Sequence, residues 1–117
     1  MQGSGYYVAS LDDRGRRLRT RGLLARGNGK WTIDDVGLRF LRLLTKRPID
    51  IPRDHIISVQ LSATSWWGGK WLMGSRVVEV RWRDEGGHEV VSGFVFSGKP
   101  EENLKAAQEL GARRPAV

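Results

Sequence analysis

Hydrophobic residues recur at every second position along most of this chain, and at every third or fourth only near its end. Alternation by twos is what a strand with one buried face requires, whereas recurrence by threes and fours is that of an amphipathic helix. The densest strand signal lies in Gly29–Leu61, which predicts four strands in a meander. Its turns fall at Asp34-Asp35-Val36-Gly37 and Thr45-Lys46-Arg47, and a break at Pro52-Arg53-Asp54 separates the last two strands. In the fourth, Ile57, Val59 and Leu61 take one face and Ile56, Ser58 and Gln60 the other. Upstream, Tyr6–Ser10 reads as an edge strand, and Met1–Gly5 as a disordered leader or expression remnant. Asp12-Asp13-Arg14-Gly15 has turn chemistry, and the glycines of Arg26–Gly29 fit either a bulged strand or a hairpin loop.

Downstream, Arg76–Arg83 is a strand with Val78, Val80 and Trp82 on one face and Val77, Glu79, Arg81 and Arg83 on the other. Asp84-Glu85-Gly86-Gly87 predicts a hairpin turn, since glycine reaches the positive φ that such turns need. The strand His88–Ser97 returns from it, with Phe94 and Phe96 opposite Val91 and Val95. The period then changes. Pro100 suits a first helical turn, Glu101 and Glu102 complement the helix dipole, and Leu104, Ala107 and Leu110 recur at helical spacing up to Gly111. A bent sheet with an open apolar end needs a plug, and those three apolar residues are the expected one.

Composition narrows the class. The chain has 117 residues, enough for one core without metals or cross-links, and no cysteine, which excludes disulfides and thiolate chemistry. No apolar run approaches the roughly 20 residues that span a bilayer. The first 53 residues carry twelve Lys/Arg against five Asp/Glu, and the remaining 64 carry eight of each, so the whole +7 excess lies in the first half. It is densest at Arg14, Arg16, Arg17, Arg19, Arg21 and Arg26. Such a block is either a solvated arm or a contact for a polyanion, whether anionic lipid, nucleic acid or an acidic partner.

Several residue runs carry a resemblance. Trp31-Thr32-Ile33-Asp34-Asp35-Val36-Gly37-Leu38-Arg39-Phe40 is one, and Ile49-Asp50-Ile51-Pro52 with Ile56-Ile57-Ser58-Val59 is another. Val80-Arg81-Trp82, Ser92-Gly93-Phe94 and the terminal helix complete the set. Together these resemble the pleckstrin-homology (PH)-like superfold: a mainly β barrel or orthogonal sandwich of about seven antiparallel strands, capped by one C-terminal α-helix. The resemblance spans residues 6–111 as a single domain, leaving 112–117 as a tail. Within the superfold the chain is similar to bacterial PH-like domains related to GRAM domains. It is especially similar to an actinobacterial group in which a short Tyr-Val/Ala segment precedes a Gly-rich first strand. The resemblance implies a non-catalytic, cytoplasmic, membrane-proximal module that binds lipids, peptides or proteins. Many members carry an N-terminal membrane anchor; here any such tether would lie in a segment outside this chain.

The candidate chemistry follows. PH-type lipid binding uses basic residues around the turn between the first two strands. With the Gly-rich strand taken as the first, as in the resemblance, that turn is Asp34-Asp35, whose carboxylates would repel a phosphate. Arg39, Arg42, Lys46 and Arg47 form a candidate anion patch beside the Arg14–Arg21 group, with a solvated strand face as the plainer reading. Trp66, Trp67, Lys70 and Trp71 interleave aromatics with glycine and lysine, a pattern that suits a membrane interface or a protein partner, or burial at one end of the barrel. Gly93–Pro100 falls one residue short of a phosphate-binding loop, because Pro100 stands where Ser or Thr must hold Mg²⁺. His88 and Glu89 are adjacent and would point to opposite faces of a strand, and His55 has no nucleophile at a productive spacing. No metal site, cofactor or enzymatic activity is expected. The leading expectation is an interaction module with a protein partner or an anionic membrane surface, with self-association through sheet edges an open alternative. A non-specific nucleic-acid-binding domain built on the Arg-rich half is the second expectation.

Overall fold

The structure, a computed structural model, describes residues 1–18, 26–63 and 76–112. Seven strands and one helix make up the fold: β1 Gln2–Leu11, β2 Gly27–Ile33, β3 Gly37–Arg42, β4 Pro48–Pro52, β5 Ile56–Ala63, β6 Arg76–Arg83, β7 Glu89–Val95 and α1 Pro100–Ala112. All strand pairs are antiparallel, and the order across the sheet is β4-β3-β2-β1-β7-β6-β5. β4 and β5 therefore end the sheet on opposite sides, yet only Arg53–His55, one turn of 3-10 helix, joins them. Three residues can connect the two margins only if the sheet curls until they meet. The core records that curl, since Phe40, Ile49 and Ile51 from one half share a single cluster with Val78, Val80 and Phe94 from the other. This is the mainly β, helix-capped architecture of the PH-like fold.

Several local expectations are corrected. Gln2–Gly5 is not a disordered leader but the first half of β1, paired residue by residue with Gly29–Thr32 of β2. Nor is β1 an edge strand; it is the middle of the sheet, bonded to β2 on one side and β7 on the other. The ordered sheet thus begins before Tyr6, and the helix runs to Ala112. Only β2, β3 and β4 form the expected meander, because β5 crosses to the far margin instead of pairing with β4.

The alternation of β5 is shifted by a bulge. Ile56 pairs with Trp82 and Ser58 with Arg81, which leaves Ile57 as the extra residue. Ile56 is therefore buried, with Val59 and Leu61 packed on the same core and Ile57 off their phase. In β6 and β7 the expected faces hold: Val78, Val80, Trp82, Phe94 and Phe96 fill the main core, while Val77 and Val95 join Val8 in a second cluster. The turn between them closes with the Gly87 amide donating to the Asp84 carbonyl oxygen, and Gly87 takes a φ of 81°.

The helix packs against β5, β6 and β2 through two of the three expected residues, Ala107 and Leu110, but not through Leu104. Ala106, Ala107, Leu110 and Asn103 are buried, and Leu104 is 44% exposed. Asn103 explains the difference. Its Oδ1 accepts from the Phe96 and Ser97 amides, and its Nδ2 donates to the Ser97 and Lys99 carbonyl oxygens. Four bonds from one amide side chain fix which face of the helix looks inward, and Leu104 lies outside that face.

Candidate functional site

The β1–β2 connection begins as a tight return. The Asp12 amide donates to the Arg16 carbonyl oxygen, Leu11 bridges to Arg17, and the Leu18 amide donates to the Ser10 carbonyl oxygen. The Asp12 carboxylate accepts from the Arg16 and Arg14 amides and lies 3.4 Å from the Arg16 guanidinium, contacts that hold it below its ordinary pKa. This turn holds Arg14, Arg16 and Arg17 exposed at the end of the sheet where β1 finishes and β2 starts. Burial pushes the Tyr6 phenol above its usual value, while the charges of Arg26 and Arg17 act the other way.

The β3–β4 tip lies at the same end, since Gly29 near the start of β2 pairs with Arg42, and the Leu43 amide donates to the Asn28 carbonyl oxygen at 2.9 Å. Lys46 and Arg47 are exposed there. Beside them Leu43 is 54% and Leu44 92% exposed, an adjacent apolar pair that the sequence reading did not single out. The signal was legible in the register. Leu38, Phe40 and Arg42 face inward, which turns Leu43 outward, and Leu44 lies beyond the last ladder pair, Leu41 with Pro48.

The structure brings some of the expected residues together and not others. Arg14, Arg16, Arg17, Lys46 and Arg47 share one end of the barrel, with Arg26 added. Arg42 is corrected from surface to core: it is 2% exposed, its Nε donates to the Arg47 carbonyl oxygen at 3.1 Å, and its guanidinium carbon sits 5.6 Å from the Tyr7 ring centre. Burial holds its pKa below the usual arginine value. Arg39 is exposed on the outer face of β3, where it pairs with Asp50 at 3.7 Å, away from that end. Arg19, Arg21, Trp66, Trp67, Lys70 and Trp71 lie outside the described residues.

The turn at Asp34–Gly37 connects β2 to β3, so the first two strands are joined by the arginine-rich stretch instead. Carboxylate repulsion at Asp34 and Asp35 therefore does not bear on the connection between the first two strands. Asp34 is occupied locally, its carboxylate accepting from the Val36 and Gly37 amides.

Other polar groups have structural work. A chain of hydroxyls runs from Tyr7 to Ser10 to Ser92, each step 2.6 Å, and the Trp82 indole donates into Ser92. Burial pushes the Tyr7 phenol up to about 12. At the β6–β7 turn Asp84 lines a cleft of about 530 Å³, together with Asp12, Asp13, Arg83, His88 and Glu89. His88 stands 3.4 Å from Asp84, and among the described residues no three His, Asp or Glu side chains converge as metal ligands. Among them too, no helix is long and apolar enough to cross a membrane.

A family model described as bacterial PH domain-like matches residues 1–113. No curated protein matches the chain.

Proposed function

The chain belongs to the bacterial PH domain-like family, and on that premise we propose that it docks on anionic membrane surfaces at the cytoplasmic face through the basic end of its barrel. PH-like domains are in general non-catalytic interaction modules. One juxtaposition carries the reading: Arg14, Arg16, Arg17 and Arg26 of the β1–β2 connection lie at the same end as Lys46 and Arg47 on the β3–β4 tip. Each cation held near an anionic bilayer contributes about 1 kcal/mol, so four or five acting together supply about 4–5 kcal/mol, a millimolar to sub-millimolar attraction. Asp12, Asp13 and Asp84, which line the cleft beside the β6–β7 turn, oppose a deep, stereospecific phosphate pocket. They favour contact with surface charge over capture of one headgroup.

The test is sedimentation with vesicles of phosphatidylcholine alone, or mixed with phosphatidylglycerol, at low and high salt, beside a random DNA duplex. Co-sedimentation with the mixed vesicles alone, weakening as salt rises, is the expected outcome. Duplex binding without vesicle binding would replace this reading with nucleic-acid binding, whose affinity falls with salt through counterion release.

A further inference from the structure

We infer that the β3–β4 tip is a lipid-inserting wedge: Leu43 and Leu44 enter the boundary between headgroups and acyl chains while Lys46 and Arg47 stay on the phosphates. The inference rests on the membrane reading above and adds what the contact consists of. Adjacent leucines on a hairpin tip, one 92% and the other 54% exposed, are costly to keep in water unless something covers them.

The tip is also rigid enough to present them. Buried Arg42 braces it from below, with its carbonyl oxygen accepting from the Lys46 amide at 2.9 Å and its Nε donating to the Arg47 carbonyl oxygen. The Leu43 amide is tied to Asn28, and the Arg47 amide donates to the Thr45 hydroxyl. The turn closes on Lys46 at a φ of 55°, a left-handed conformation that glycine or asparagine adopts at less cost. A lysine there adds charge at the position where the tip would meet headgroups.

Charge decides what covers the leucines. A second copy meeting tip to tip would set its own Lys46 and Arg47 against these, a like-charge contact. An anionic bilayer presents negative groups outside an apolar interior, which matches leucines flanked by cations. The interface also takes up partly exposed apolar side chains without demanding a shaped pocket.

The chain has no cysteine, so L44C introduces a unique thiol for a nitroxide, and Q108C on the exposed side of the helix gives an equivalent control. On phosphatidylcholine–phosphatidylglycerol vesicles, the label at 44 should gain accessibility to oxygen and lose it to an aqueous nickel complex, while the label at 108 stays in water. L43S/L44S should lower vesicle partitioning about tenfold per leucine, with the salt dependence retained. If the protein sediments with vesicles while the label at 44 remains in water, the wedge is refuted and electrostatic docking stands. If it does not sediment at all, both fail. Dipolar broadening at 44 without vesicles would assign the tip to a second copy and overturn the wedge.

Discussion

At the scale of single residues, the fold is held at its seams by two polar side chains, Asn103 and Arg53. Asn103 joins the end of β7 to the first turn of the helix. Arg53, 6% exposed, closes the other end: Nε and Nη2 donate to the Asp34 carbonyl oxygen, and Nη1 donates to the carbonyl oxygens of Glu109 and Leu110. The last carbonyls of a helix have no partner within it and carry the negative end of its dipole, so a guanidinium there satisfies both needs. One planar fork thus binds the helix end to the β2–β3 turn from the only link between the two sheet margins. Arg53→Met should cost about 2–4 kcal/mol, because three carbonyls lose their donor. Arg53→Lys should recover less than half, since an ammonium cannot span carbonyls on two elements in a fixed geometry. Urea midpoints at unchanged m-value would measure both, and a lysine variant as stable as the parent would show that charge alone matters. Neither role was visible in the sequence, because a lone Arg in a turn and a lone Asn in a helix have no pattern. Arg42 did have one: its even register with Leu38 and Phe40 placed it on the core face.

At the scale of elements, β1 is the part on which the sheet depends. It pairs with β2 through Gln2–Tyr7 and with β7 through Tyr6–Leu11, and the register shift between Tyr7 and Ala9 lets one strand serve both halves of a curled sheet. Gly5 sits where the two ladders begin to overlap, and a Cβ there would run into the Val95 carbonyl oxygen and the Phe96 backbone. Gly5→Ala should therefore force β1 away from β7 and cost at least about 3 kcal/mol, whereas Ser4→Ala, one exposed residue earlier, should stay within about 0.5 kcal/mol. Thermal unfolding of the two variants would check this, and equal stability would mean that the β1–β7 approach is looser than the backbone contact implies. Periodicity made most strands and the helix legible, including both faces of β6 and β7. It was blind to pairing order. Strands adjacent in sequence invite a meander, and nothing local in Met1–Ser10 says that this segment lies in the middle. The bulge at Ile57 escaped for a related reason, since an inserted residue reads as unbroken alternation until its partner strand is known.

At the scale of the whole molecule, the question is whether net charge or its placement governs what the domain touches. The sequence located the excess in the first 53 residues but assigned the acidic Asp34–Asp35 turn to the first connection, because the short charged stretch before Gly27 has no strand period of its own. Topology reverses that assignment and gathers Arg14, Arg16, Arg17, Arg26, Lys46 and Arg47 at one end. Lys99 lies at the other, beyond the end of β7, whose last residues pair with Tyr6 rather than with Leu11. Lys105 follows on the helix that starts there, and both lysines are exposed. The pairs K46E/R47E and K99E/K105E change net charge equally and touch no buried group, so a comparison isolates placement. If the protein meets an anionic surface end-on, K46E/R47E should reduce partitioning at least about tenfold, since each lost cation removes about 1 kcal/mol and each new carboxylate opposes binding. K99E/K105E alters cations at the helix start and on the helix, outside the group gathered at the basic end, and should change partitioning by less than about twofold. Equal losses from the two pairs would mean that the molecule is drawn in by its total charge without a fixed orientation, and a basic end would then have no special role.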